Sequence, residues 1–385
     1  MRRYIRSLKY WLNRYPGLSR FSVVEYLVFR ALKERLLKNK VIDSSEGIPL
    51  TGRADPGLIN AQKYSQLICV SGFGNSGSGA MEDLLSEYAD TTVIGYVEPD
   101  GSQRERNLET DFEFDICRNP GGLFDIEKTL ASPFYSDGNS VIHRFVAMLA
   151  DYHYGYGGRA FGTTFLKNAR QFLDEIIEFK VHNPTVCTFP RGLKLIWPEQ
   201  TSNGEDFYFG LKRLSVADYR RIAKRFLLSV LAEIPSKKRL VLDLLLSDGT
   251  SDMEKYQDYL GSVKVIAVMR DPRDSFAISH KYESKWMPKE VDAFINWYRT
   301  CNQAAFNCRH PDFLLVRFSD LALRYEETKS RVEQFLGLTP EEHERPFSGF
   351  APKVSSKNVG LYRQFATPED VAKIERELSE YIQCE

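Results

Sequence analysis

Arg270 stands where a chain of this kind would meet an anion. It follows an apolar, β-branched run, Val265 to Met269, that reads as a buried strand of a parallel sheet. Pro272, two residues on, is placed to be the first residue of a following helix. An arginine at the carboxyl end of a parallel strand, beside a helix N-terminus, points into the crevice where open α/β sheets hold ligands. A guanidinium and unpaired helix amides both favour an anion, most simply a phosphate. The competing assignment is a surface salt bridge from Arg270 to Asp271 or Asp274.

A second anion-binding signal lies far upstream. The strand Leu67-Ile68-Cys69-Val70 runs into Ser71-Gly72-Phe73-Gly74-Asn75-Ser76-Gly77-Ser78-Gly79. A strand, a glycine-rich loop and a helix together make a phosphate cradle, because backbone amides point inward and glycine lets the chain approach closely. Gly72, Gly74 and Gly77 spell the G-x-G-x-x-G of a dinucleotide site, and Glu98 sits at the end of the next expected strand, roughly 20 residues on. Gly72 and Gly77 also have the spacing of the nucleotide triphosphatase loop. Ser78, however, occupies the place where that loop needs lysine, which argues against magnesium-dependent hydrolysis.

The elements that must position these residues follow from hydrophobic pattern. A helix is expected from Ala80 to Tyr88, with Met81, Leu84 and Leu85 inward, and a second strand from Thr92 to Val97. Later strands are expected at Leu240 to Leu246 and Phe313 to Arg317, with helices at Ile222 to Ile234 and Val291 to Asn307. Strands alternating with helices predict an α/β fold, a parallel sheet covered on both faces. The middle, 139–212, breaks that rhythm and is expected to be a mostly helical, aromatic-rich cap for an acceptor. Tyr152, Tyr154, Tyr156, Phe161, Phe165, Trp197, Phe207 and Tyr208 would there suit stacking against sugar rings, although ordinary core packing explains most of them.

Composition sets outer bounds. A chain of 385 residues, 43% hydrophobic and 13% aromatic, is globular in character. Its formal net charge is zero, so no global field calls for nucleic acid. Residues 1–40 nevertheless hold eleven Lys/Arg and two Asp/Glu, +11 − 2 = +9, which leaves 0 − 9 = −9 for residues 41–385. Within them Tyr4, Ile5, Leu8, Trp11 and Leu12 share a helical face flanked by Arg2, Arg3, Arg6 and Lys9. That pattern fits a basic amphipathic helix on an anionic membrane surface or on a partner protein; a helix packed on the chain's own body is the plainer alternative. Residues 1–60, ending in a Gly/Pro/Ser-rich linker, are accordingly separated from a main domain at 61–385.

The six cysteines form no CxxC pair, and no metal-ligand spacing is found, so they read as thiols of a reducing compartment. No stretch reaches the ~20 apolar residues of a membrane span. A cytoplasmic location, at the inner face of the membrane if the basic segment binds there, is the expectation.

With these residues in hand, the chain resembles the sulfotransferases that use 3′-phosphoadenosine 5′-phosphosulfate (PAPS). Asn75-Ser76-Gly77-Ser78 is similar to the Lys/Arg-Ser-Gly-Thr/Ser core of their donor loop, which holds the 5′-phosphosulfate. Arg270-Asp271-Pro272-Arg273-Asp274 resembles their 3′-phosphate element, an arginine with a serine farther along the helix. Phe313 to Leu321, Glu326-Glu327-Thr328 and Val332 to Leu338 resemble the late strand–helix unit. Ser356 to Phe365 with Thr367 to Asp370 resemble the C-terminal loop over the donor. Four elements in this order span residues 67–383, and a dinucleotide enzyme predicts none of the last three.

The resemblance implies a three-layer α/β/α fold around a parallel sheet, like that of P-loop proteins, and PAPS as donor without a metal. It implies a donor site from Gly74, Asn75, Ser76, Gly77, Ser78, Gly79, Arg270, Ser275 or Ser279, Lys357, Gly360 and Arg363. Two departures stand out. Asn75 replaces the usual loop cation, for which Lys180, Lys212 or Lys281 would have to substitute. The usual serine position is Ile278, with Ser279 one residue later and Ser275 earlier. The proton acceptor is open among Glu98, Glu113, which aromatic neighbours would desolvate, and His182. The implied acceptor is a carbohydrate hydroxyl, of a bacterial capsular or cell-surface glycan. Two alternatives remain, a nicotinamide-dependent oxidoreductase using Gly72, Gly74, Gly77 and Glu98, and a non-catalytic nucleotide-binding scaffold.

Overall fold

Alternate residues of one strand feed two different cores. In β1 (Gln66–Ser71), Leu67 and Cys69 join one buried apolar cluster and Ile68 and Val70 join another, the period-two signature of a strand covered on both faces. The structure is a computed structural model. It describes residues 64–382 apart from 94–95, 98–104, 107–115, 118–120, 133–137, 155–164, 183–195, 198–206, 233–235, 244–249 and 283–286. The basic segment 1–40, Cys187, Cys384, Glu98 and Glu113 therefore lie outside the described residues.

The other strands are β2 (Thr91–Val93), β3 (Tyr96–Val97), β4 (Glu105–Arg106), β5 (Ile177–His182), β6 (Phe207–Leu211), β7 (Arg239–Asp243), β8 (Val263–Met269) and β9 (Phe313–Arg317). Five of them form the central sheet in the order β2-β7-β1-β8-β9, all parallel. The helices are α1 (Ser78–Leu85), α2 (Leu123–Ala131), α3 (Gly138–Tyr154), α4 (Phe165–Ile176), α5 (Val216–Ala232) and α6 (Thr250–Leu260). After them come α7 (Pro272–Lys281), α8 (Val291–Asn307), α9 (Phe318–Leu323), α10 (Tyr325–Leu336) and α11 (Pro368–Glu377), with shorter turns between. Helices α2 to α6 supply buried side chains to the face of Leu67, Leu240 and Val265, and α1, α9 and α10 to the face of Ile68, Val241 and Ile266. Three layers result, as expected. A further cluster joins Met269 of β8 to Phe276, Phe294 and Ile374 of α7, α8 and α11.

Three expectations need correction. The second strand is not continuous from Thr92 to Val97: β2 ends at Val93, and β3 pairs antiparallel with β4 outside the main sheet. Helix α1 starts at Ser78, two residues earlier than expected, and ends at Leu85. The middle region is mostly helical among its described residues, but it also holds strands that were not foreseen, since β5 and β6 form a separate antiparallel pair. Phe165 and Trp197, assigned to sugar stacking, are fully buried and belong to the core. Tyr208 does reach the surface, stacked with the exposed Phe179. The side chains of Tyr152, Tyr154, Tyr156, Phe161 and Phe207 lie outside the described residues.

Candidate functional site

Parallel register decides what meets at the carboxyl edge of the sheet. Ser71 pairs with Ala267, so the glycine loop leaves the sheet beside the end of β8. Met269 pairs with Arg317, so the next residues on each chain, Arg270 and Phe318, emerge as neighbours. The Arg270 guanidinium lies 3.9 Å from the centre of the Phe318 ring. On the glycine-loop side, a Cβ placed on Gly77 would come 2.3 Å from that same ring. Only glycine fits there, and its φ of 98° is the left-handed geometry that glycine adopts without strain. One aromatic ring thus separates the loop from the arginine.

The loop is anchored along its length. Ser76 is buried and its Oγ accepts from the Ser78 amide at 3.3 Å. Gly74 packs against the Trp297 ring, where a Cβ would come within 2.6 Å. Asn75 is exposed, has φ 58°, and sets its Nδ2 3.7 Å from Met287 Sδ. Gly77 caps α1 without a side-chain acceptor, and the first turn carries no acidic residue. The amide end of α1, approached by Ser78 and Gly79, therefore keeps its attraction for an external anion.

Arg270 is only 7% exposed. Its Nη1 donates to the Asn358 carbonyl at 3.2 Å, and its buried Nε has no hydrogen-bond partner. Burial pushes its pKa down to about 10, with Asp274 pulling the other way. The salt-bridge assignment is overturned, because both aspartates are committed elsewhere. Asp271 caps α7, accepting from the Arg273 amide at 2.8 Å and from Arg273 Nε and Nη2 at 3.0 and 2.8 Å. Asp274 accepts from the amides of Gly360 and Tyr362 at 2.8 and 3.1 Å. Among the described residues the Arg270 guanidinium has one carbonyl contact and no carboxylate partner, and such a buried charge is costly unless an anion completes it.

The remaining expected donor-site residues fall into place around it. Ser275 is buried in the first turn of α7, whereas Ser279 is fully buried and spends its hydroxyl on the Phe276 carbonyl at 2.7 Å. Of the two serines, Ser275 is the one not committed to its own helix in this way. Lys357 and Arg363 are exposed on the C-terminal loop, and Arg363 lies over the Tyr362 ring, whose other cationic neighbour is Arg273. Of the substitute cations, Lys180 pairs with Asp174 at 2.8 Å and lies over Trp197, and Lys212 donates to the Asp174 carbonyl at 3.2 Å. Lys281 sits over Tyr282 and Phe365. None of the three contacts Asn75 in the structure's hydrogen bonds or ion pairs. His182 ends β5 opposite Phe207, with its side chain outside the described residues, as are Glu98 and Glu113.

Sheet order bears on the dinucleotide alternative. That site needs the acidic second strand beside the first, whereas β7 stands between β1 and β2 here. Phe318, Asn358 and Trp297 are site residues that sequence pattern did not single out, and Asp274 was read only as a salt-bridge partner of Arg270 and the end of its motif. Only Phe318 carried a readable signal, as the residue next after β9.

No family model matches the chain, and no curated protein sequence matches it. Among solved structures it is similar to the sulfotransferase domain of the olefin synthase from Synechococcus PCC 7002, at 13% identity. That match covers 83% of this chain and 95% of the other, with a TM-score of 0.41. It is also similar to sulfotransferase STF9 from Mycobacterium avium, at 14% identity over 84% and 78% of the two chains, TM-score 0.34. A third is sulfotransferase STF1 from Mycobacterium tuberculosis H37Rv, at 12% identity over 78% and 77%, TM-score 0.31.

Proposed function

We propose that this chain is a sulfotransferase that takes PAPS as donor and sulfates a hydroxyl of a carbohydrate, such as a bacterial capsular or cell-surface glycan. The observation that carries the reading is Arg270, buried near the glycine loop with an unpartnered Nε and, among the described residues, no carboxylate bonded to it. The donor carries anionic groups at two positions of its ribose, the 5′-phosphosulfate and the 3′-phosphate, and the site offers two anion-binding ends separated by the Phe318 ring. Loop amides from Gly74 to Gly79 with the α1 terminus would hold the phosphosulfate. Arg270, Ser275 and the loop bearing Lys357, Gly360 and Arg363 would hold the 3′-phosphate.

PAPS supplies the sulfuryl group, and the transfer, like phosphoryl transfer, asks the protein for alignment and charge stabilisation more than covalent work. Amides aimed at the loop stabilise the charge that develops on the leaving phosphate. With Asn75 in the loop, that stabilisation comes from neutral donors. The proton taken from the acceptor hydroxyl is assigned among Glu98, Glu113 and His182, and replacing each in turn separates them. The basic segment 1–40 supports work near an anionic membrane where glycans are assembled, in the cytoplasm.

Incubation with PAPS labelled in its sulfuryl group, against a panel of glycans, phenols and sterols, tests this directly. Label is expected in glycans. Label only in phenols or sterols would refute the acceptor while keeping the reaction, and no transfer with tight bisphosphate binding would favour the scaffold alternative.

A further inference from the structure

Two carboxylates sit within four residues of Arg270, yet a site for a phosphate cannot let either of them neutralise it. Asp271 is held by Arg273, which also reaches Glu375 of α11 at 2.8 Å. Asp274 is the more telling, being 3% exposed and one turn along α7 from Arg270. Its Oδ2 accepts the Gly360 amide and its Oδ1 the Tyr362 amide, so both oxygens are spent on one loop. That same loop turns the Asn358 carbonyl toward Arg270. Burial, helped by Asp271, raises the Asp274 pKa above the ordinary carboxylate range, and the two amides and Arg270 offset only part of that rise.

We propose that Asp274 is a positioning residue of the donor site: by clamping Gly360 and Tyr362 it fixes the C-terminal loop over Arg270. The inference rests on the sulfotransferase reading of the site. Asparagine cannot replace it, since one amide oxygen can accept only in part and the NH2 group would face a second N–H donor. Electrostatics and positioning make opposite forecasts. If only charge mattered, removing an anion beside a bound phosphate would tighten binding. If Asp274 positions the loop, removing it weakens binding.

The test is titration of adenosine 3′,5′-bisphosphate by calorimetry into the full chain, Asp274→Asn and Asp274→Glu, alongside amide hydrogen exchange of the ligand-free proteins. In Asp274→Asn we expect at least a tenfold loss of affinity and faster exchange at Gly360 and Tyr362. In the same variant the KM for PAPS rises, with kcat at saturating donor held within a few-fold. Asp274→Glu keeps the charge on a longer arm and should also weaken binding, which charge alone does not predict. Equal or tighter binding in Asp274→Asn, or unchanged exchange at both amides, overturns the proposal. Should Asp274→Asn not fold, unchanged affinity in Asp274→Glu overturns it as well. Failure of the unaltered chain to bind the bisphosphate would instead strike the sulfotransferase reading, while the exchange data still report whether Asp274 holds the loop.

Discussion

The carboxyl edge of the sheet and the middle insertion are built by different rules. At the edge, residues separated by a long stretch of chain are neighbours because parallel strands have a fixed register: Arg270 meets Phe318 because Met269 pairs with Arg317. In the insertion, position is set by packing. Trp197 is wholly buried, its indole N–H bonded to Asp174 at 3.3 Å and its ring covered by Lys180 at 4.1 Å. A short chemical motif at a strand end is therefore informative about location, while an aromatic residue in an insertion is not.

The sharpest way to test that contrast is to damage the insertion and watch the edge. Trp197→Ala removes a fully buried indole and should cost about 3–5 kcal/mol of stability, read from urea unfolding. Bisphosphate affinity of the folded fraction should stay within about twofold, because Asp174, Lys180 and Phe209, which touch Trp197, belong to the insertion and not to the donor site. A parallel collapse of affinity would mean that the two regions are one unit.

How much was legible follows the same division. The strand ends at β8 and β9, Pro272 opening α7, and α8 from Val291 to Asn307 were all readable, because period and caps are local properties. The split of the second strand was missed although one local mark stood there: Gly95 lies between Val93 and Tyr96, and an isolated glycine weakens a strand whose other residues are β-prone. The clamp of Asp274 on Gly360 was hidden, because an aspartate in a helical first turn reads as a dipole partner or a salt bridge. The diversion of Asp274 away from Arg270 is visible only once the C-terminal loop is folded back on α7, whereas that of Asp271 is a local cap.

A smaller effect is expected where the loop departs from the donor-loop motif that it resembles. Asn75 holds φ 58°, a conformation in which asparagine is at ease and lysine is disfavoured by about 1–2 kcal/mol. Asn75→Lys should therefore lower stability modestly, keep bisphosphate affinity within about tenfold, and raise turnover by supplying a cation to the leaving group. Loss of all binding in that variant would place Asn75 elsewhere than in the donor loop, and would blur the comparison from the side where it is clearest.

The central claim is that the buried guanidinium at the end of β8 is there for an anion. Calorimetric titration of adenosine 3′,5′-bisphosphate into the unaltered chain and into Arg270→Ala measures it directly. Removal of a charge-assisted contact from a desolvated site should cost about 2–4 kcal/mol of binding free energy, with the fold retained. Equal affinity in the two proteins would contradict the account, and would return Arg270 to a purely structural role beneath the Phe318 ring.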